Sequence, residues 1–279
     1  MFQKFQYYKP TLGHSWLMVA LVIVGSLVVA FAFPHAPQSI NYFLMMLFPL
    51  GFCWWMERQA AAVAEIRGTR PLPVNAPHFG KLPAWAFLAL STVAMLALTV
   101  VIDPTTAFIP MPDSIKAIFE KAFVDSALWD MILATCILAP LLEEFLCRGM
   151  MLRGMLTRMP VWKAIAWSAF LFAFMHLNPW QSIPAFLIGL FLGWVYWRTH
   201  CLWATIFLHC FNNSMSAILT RVFPDIPFDA SWKDMLPPNV YWPFYAGCVV
   251  VAVLTIYILH EKTLSPEVRP EPETQGLGQ

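Results

Sequence analysis

The stretch SWLMVALVIVGSLVVAFAF, residues 15–33, decides what kind of protein this is. It runs for nineteen residues without a charged side chain. A helix needs about 20 mostly apolar residues to cross the hydrocarbon core of a bilayer. No small-residue cleavage site follows it, so it reads as a retained first helix and not as a removable signal. Seven further apolar runs follow, at 40–56, 83–102, 127–150, 161–177, 182–196, 202–220 and 242–259. Prolines collect between them, at Pro34, Pro37, Pro71, Pro73, Pro160 and Pro237 among others, as expected of connecting loops.

Composition agrees. Of 279 residues 59% are hydrophobic and 12% charged, whereas a soluble domain is about a quarter charged. Too few polar side chains exist to cover a folded surface in water. The net charge of +1 points to no nucleic acid and no acidic partner. The expected fold is therefore all-α: a polytopic membrane protein, a bundle of about eight transmembrane helices in one domain spanning 1–264. The amphipathic segment 114–125 would lie on the membrane surface. The Pro-, Glu- and Gly-rich tail at 265–279 would be disordered. With the N-terminus in the cytoplasm, twelve of the 17 Lys and Arg fall on the cytoplasmic side, four outside and Arg148 within a span. That asymmetry favours eight helices with both termini cytoplasmic. None of the six cysteines forms a CxxC pair, so they read as small packing residues, Cys147 and Cys210 being the two beside polar groups.

Ionisable side chains in hydrocarbon cost about 2.5 to 3.5 kcal/mol each on insertion scales, so those present need a reason. They are Glu143, Glu144 and Arg148 in the fourth span, His176 late in the fifth and His209 in the seventh; Asp130 lies near a span end. Adjacent helical residues project about 100° apart, so Glu143 and Glu144 do not share a face. Glu144 and Arg148 stand at i, i+4 with the acid first, the favourable ion-pair order. Glu143 is then a spare carboxylate able to take and give protons, and its partner must come from another helix. Counted from the turn at Met159 and Pro160, Glu143 and His176 lie at one depth. His209 matches that depth only if the hairpin of spans four and five projects about two turns further into the cytoplasm. His209 and Asn213, at i, i+4, share a face and can both aim hydrogen bonds at one oxygen. A carboxylate with an imidazole can hold a water and draw off its proton, and the second pair can receive the oxygen of an attacked carbonyl. Hydrolysis of an amide or ester fits, with no Ser or Cys required.

At these residues the chain resembles the CPBP family, the CAAX-protease and bacteriocin-processing (ABI) family of glutamate-dependent intramembrane endopeptidases. The motifs are a Glu pair followed by Arg (Glu143, Glu144, Arg148), Phe-x-x-x-His (Phe172 to His176) and His-x-x-x-Asn (His209 to Asn213), with Gly189 and Gly193 between the last two. The resemblance covers about 127–219. It implies an eight-helix bundle in which Glu143 and His176 activate water, His209 and Asn213 form the oxyanion site, and Glu144 with Arg148 are structural or orient the substrate. It also implies a metal-free mechanism without cofactor. The substrate would be a protein or peptide in or at the bilayer, prenylated or not. Compact size and the lack of targeting signals point to a prokaryotic cytoplasmic (inner) membrane.

Other classes compete with this one. Glu143, His176 and His209 would also serve as a proton or cation path in a transporter, although no repeat or pair of broken helices accompanies them. The same three side chains offer a zinc ion three ligands, with water as the fourth, although HExxH is absent. A catalytically silent membrane scaffold or immunity partner would leave Glu143 without chemical duty. An acyl-transfer variant would need a nucleophile such as Cys147, which only proximity supports.

Overall fold

The computed structural model describes residues 4–223, 226–227 and 230–263, and every structural statement concerns these. The tail expected at 265–279 lies outside them. Among the described residues all regular elements are helical. They are α1 (Leu12–Ala32), α2 (Gln38–Arg67), α3 (Ala84–Ile102), α4 (Asp113–Asp125), α5 (Leu128–Leu156), α6 (Val161–Phe174), α7 (Pro179–Thr199), α8 (Leu202–Val222), the short α9 (Trp232–Met235) and α10 (Pro238–Lys262).

Each expected span carries a helix, but the helices are not alike. Four are long and apolar enough to cross a membrane: α1, α2, α3 with its continuation to Thr105, and α10. The bent pair of α4 and α5, broken by 109°, would make a fifth. Their apolar side chains mostly face outward. Only 17% of the most apolar window of α10 is buried, as befits a helix whose solvent is lipid. The protein is thus an integral membrane protein. Helix α6 has 14 residues, short for a span. Helices α7 and α8 reach 21 residues each but carry Gln, Arg, His and Asn side chains.

Two boundaries differ from expectation. Helix α2 does not stop near Met56 but runs 30 residues to Arg67 and closes on Gly68 at φ 62°. Its Ala-rich last turns are strong helix formers, and glycine takes the left-handed capping conformation without strain. Helix α6 ends at Phe174, so His176 lies beyond it in the turn to α7, where Leu177 has φ 55°.

Helix α5 is the axis of the molecule. It touches α2, α6, α7 and α8, and every residue from Phe145 to Met155 is buried. A helical stretch buried on all sides belongs at the centre of a bundle, whereas the first turns of α5 expose Leu128, Trp129 and Ile137. Wide i→i+5 turns at Ile132–Leu138 and Phe145–Leu152 flank a regular segment at Ala139–Glu144. Pro140, which has no N–H and crowds the carbonyl one turn back, accounts for the first. Gly189 of α7 lets that helix approach: a Cβ there would stand 3.2 Å from Ala169 and 3.3 Å from Arg148 Nη2.

The ends of α5 are tied down. Near its start, the Asp130 carboxylate accepts from the Gln38 and Ser39 N–H groups at 2.8 and 2.9 Å and from the Ser39 hydroxyl. It thereby caps α2, whose own N-cap, Pro37, has no capping side chain. At the far end the extended segment before α1 accepts one backbone hydrogen bond, from Leu72 N–H to the Gln6 carbonyl, and side chains serve other groups of it. Glu57 accepts from the N–H groups of Gln6, Tyr7 and Tyr8, and Arg153 donates to the carbonyls of Phe5, Tyr8 and Leu72. Gly154 fits against Pro10 with no room for a side chain. The end of the α5–α6 hairpin is thus covered by the N-terminal segment and the 68–83 loop.

Candidate active site

Midway along α5 the two acids part. Glu144 is fully buried and meets Arg148 across one turn at 2.6 Å. The guanidinium also donates to the Gly189 carbonyl at 3.0 Å and stacks 4.7 Å over the Phe172 ring. The expected i, i+4 pair is present and spans three helices. Glu144 Oε1 further faces His209 Nδ1 at 3.0 Å. A carboxylate accepts only, so Nδ1 carries a hydrogen toward Glu144, and Nε2 is the nitrogen nearer Glu143.

Glu143 turns the other way and is slightly exposed, at 14%. Its Oε1 accepts from the Tyr42 hydroxyl of α2 at 2.7 Å. Its Oε2 stands 3.8 Å from His209 Nε2, too far for a direct hydrogen bond. The two glutamates do not share a face, yet both reach the same imidazole, one at each nitrogen. The partner that Glu143 needed from elsewhere is a tyrosine hydroxyl as well as a histidine.

His176 Nδ1 lies 3.0 Å from the Phe172 carbonyl, which fixes its hydrogen on Nδ1 and leaves Nε2 an acceptor. The Phe172 ring stands edge-on to His176 and to His209, at 5.2 and 5.5 Å between centroids. Asn213 donates one amide hydrogen to the Thr135 carbonyl at 3.0 Å and accepts from Asn212. Its second N–H stays available. Cys147 is fully buried.

Glu143, His176, His209 and Asn213 line one cavity of about 550 Å³, together with Tyr42, Thr135, Phe172 and Asn212. Glu144 and Arg148 are behind it. The structure therefore gathers the six residues singled out from sequence into one site, four on the cavity wall and two supporting it. A second, more apolar groove of about 790 Å³ runs between α3, α8 and α10 and shares Thr99, Asp103, Asn212 and Ser216 with the cavity. Among the described residues no group of three or more His, Cys, Asp or Glu is arranged to hold a metal ion. Sequence reasoning missed Tyr42, since an aromatic residue in an apolar run gives no signal of a buried polar duty.

Residues 125–215 match the model of a protein family described as type II CAAX prenyl endopeptidase Rce1-like. The match runs from the end of α4 into α8. It contains Glu143, Glu144, Arg148, His176, His209 and Asn213, and leaves Tyr42 outside. No curated protein and no solved structure matches the chain.

Proposed function

We propose that the protein is an intramembrane endopeptidase that hydrolyses a peptide bond of a membrane-associated protein or peptide, using water activated by Glu143. The observation that carries this reading is the Glu143 carboxylate, with one oxygen held by Tyr42 and the other turned into a cavity shared with two histidines and an asparagine. The match to an endopeptidase family over the same residues supports the reaction class.

In this mechanism a water donates one hydrogen to Glu143 Oε2 and the other to an imidazole Nε2, leaving a lone pair for the carbonyl carbon. His176 serves as that imidazole in the reading from sequence, and its Nδ1–H contact with Phe172 leaves Nε2 suited to it. The carbonyl oxygen, as it gains charge, takes hydrogen bonds from the free N–H of Asn213 and from His209, which as the imidazolium donates from both nitrogens. The new C–O bond forms, the proton taken by Glu143 passes to the departing amine nitrogen, and the C–N bond breaks. Glu144 keeps the His209 ring turned toward the cavity. The apolar groove beside the cavity offers the bilayer-embedded part of a substrate a way in.

The reading extends to topology: eight crossings, both termini in the cytoplasm, in a prokaryotic cytoplasmic membrane. The positive-residue asymmetry supports it. So does the packing of Gln6 against Leu72 and of Lys262 against Lys81, which brings both described chain ends to one end of the bundle. Neither metal nor cofactor takes part in the proposed reaction.

Comparative proteomics of membrane and secreted fractions tests the function. Hosts carry wild type or Glu143→Gln at equal protein level. Defined peptide ends present only with wild type are expected, with loss of about 100-fold or more in the variant. Identical ends in both strains, with a phenotype that still separates them, would reject hydrolysis in favour of a proton path. Loss of the wild-type ends on chelation, restored by zinc, would reject the metal-free mechanism.

A further inference from the structure

Tyr42 is one of the polar side chains of the cavity wall that lie outside the matched stretch. Tyr42 belongs to α2, 101 residues before Glu143, and its hydroxyl gives its hydrogen to Glu143 Oε1 at 2.7 Å. That distance is typical of a charge-assisted O–H···O⁻ bond.

The consequence is orientation. The last torsion of a glutamate side chain, about an sp³–sp² bond, is broad and weakly restrained by itself. A single donor on Oε1 removes that freedom, so Oε2 is turned toward His209 Nε2 and the open cavity. Tyr42 is in turn fixed from α5. It sits one turn after Gln38, where the Asp130 carboxylate caps α2 in place of a capping side chain at Pro37. Helix α5 thus holds α2 at Asp130 and receives it back at Glu143. The helix that carries the base also fixes the start of the helix that orients it.

We propose that Tyr42 is a positioning residue of this site, holding one oxygen of Glu143 so that the other faces the water. This rests on Glu143 acting as the base. Holding a reacting group within a fraction of an ångström is worth about 100-fold in rate when it is lost.

The test uses the full chain in proteoliposomes and the peptide whose wild-type-dependent end the proteomic comparison identifies. Tyr42→Phe keeps the ring and removes only the hydroxyl. Its kcat is expected to fall about 10- to 100-fold with KM within about 2-fold. In a Glu143→Asp background, where the shortened carboxylate no longer reaches the hydroxyl, Tyr42→Phe is expected to add no further loss. Wild-type kcat in Tyr42→Phe, or additive losses in the double variant, overturns the proposal.

An infrared measurement needs no substrate and separates this proposal from the hydrolase reading. With ¹³C-labelled glutamate, the band lost in Glu143→Gln identifies the Glu143 carboxyl group. That band should shift in Tyr42→Phe, and an unshifted band overturns the assignment. Should Glu143→Gln cleave like wild type, the hydrolase reading fails, while the infrared result still decides whether Tyr42 holds Glu143.

Discussion

His209 has a different carboxylate at each ring nitrogen, Glu144 at Nδ1 and Glu143 at Nε2, and the two contacts differ in kind. The 3.0 Å contact with Glu144 sets the ring, whereas the 3.8 Å gap to Glu143 leaves access for a reacting group. Glu144→Gln therefore has two expected effects. The amide no longer supplies the charge that favours the His209 imidazolium, which weakens its Nε2–H as a donor to the carbonyl oxygen, so kcat per folded molecule should fall about 100-fold or more. Arg148 also loses its counter-charge in a fully buried site, and breaking one side of such a pair costs about 3–5 kcal/mol. Thermal midpoints in detergent should rank wild type highest, then Glu144→Leu with Arg148→Met, then Glu144→Leu alone. A single variant as stable as the double would mean that the pair does not behave as a buried ion pair. Residue spacing made part of this legible. The i, i+4 relation gave the Glu144–Arg148 pair, and the 100° step gave the divergence of the two acids. It left the Tyr42 contact hidden, because helical spacing carries no information about a side chain on a helix a hundred residues away. It also left hidden that one imidazole bridges the diverging acids.

At the level of elements, apolar runs located the helices because lipid demands length and low charge. Their ends were less legible, being set by local chemistry: Ala-rich turns carry α2 on to Gly68, and a left-handed Leu177 leaves His176 just outside α6. Glu143 and His176, expected at one depth of the hairpin, line one cavity. What sequence could not supply is the cover over the hairpin's end, made by an extended segment with no periodic signal. Gly154 tests that cover. A Cβ there would lie 2.4 Å from the Pro10 carbonyl oxygen and 2.5 Å from the Pro10 nitrogen, both backbone atoms with no rotamer to escape into. Gly154→Ala should push the N-terminal segment away from Arg153 and lower stability by about 1–3 kcal/mol. Limited proteolysis before residue 12 should quicken in parallel. An unchanged midpoint with unchanged cleavage would mean that the segment shifts without cost and that Glu57 and Arg153 hold it only loosely.

For the molecule as a whole, one end is joined by contacts among segments that the sequence spreads from Gln6 to Lys262. There the 68–83 loop docks on the α7–α8 turn, with the Ala76 and His78 N–H groups donating to the carbonyls of His200 and Thr199, each at 2.9 Å. Two histidine rings meet at this junction, 5.6 Å apart, with Tyr196 6.0 Å from His200 and Arg198 of α7 as the cation near His78. Burial, then the nearness of His78, pulls His200 from the usual 6.5 down to about 4; burial, then Arg198, lowers His78 as well. The sign follows from proton counting. Between pH 6.5 and about 4 the unfolded chain binds a proton at His200 that the folded chain refuses, so stability rises with pH across that window. Above it both states are neutral and the contribution is flat. The docked loop should therefore loosen as pH falls below 6.5, seen as a lower thermal midpoint at pH 5 than at pH 7 and as smaller hydrogen-exchange protection factors at Ala76 and His78, relative to the intrinsic exchange rate at each pH. His200→Asn removes the titrating ring while keeping a residue that tolerates the left-handed backbone at φ 46°. In that variant the drop between pH 7 and pH 5 should shrink, and the protection factor at Ala76 should lose most of its pH dependence. If wild type and His200→Asn lose stability equally, the acid sensitivity resides elsewhere, and the histidine pair packs the junction without sensing pH.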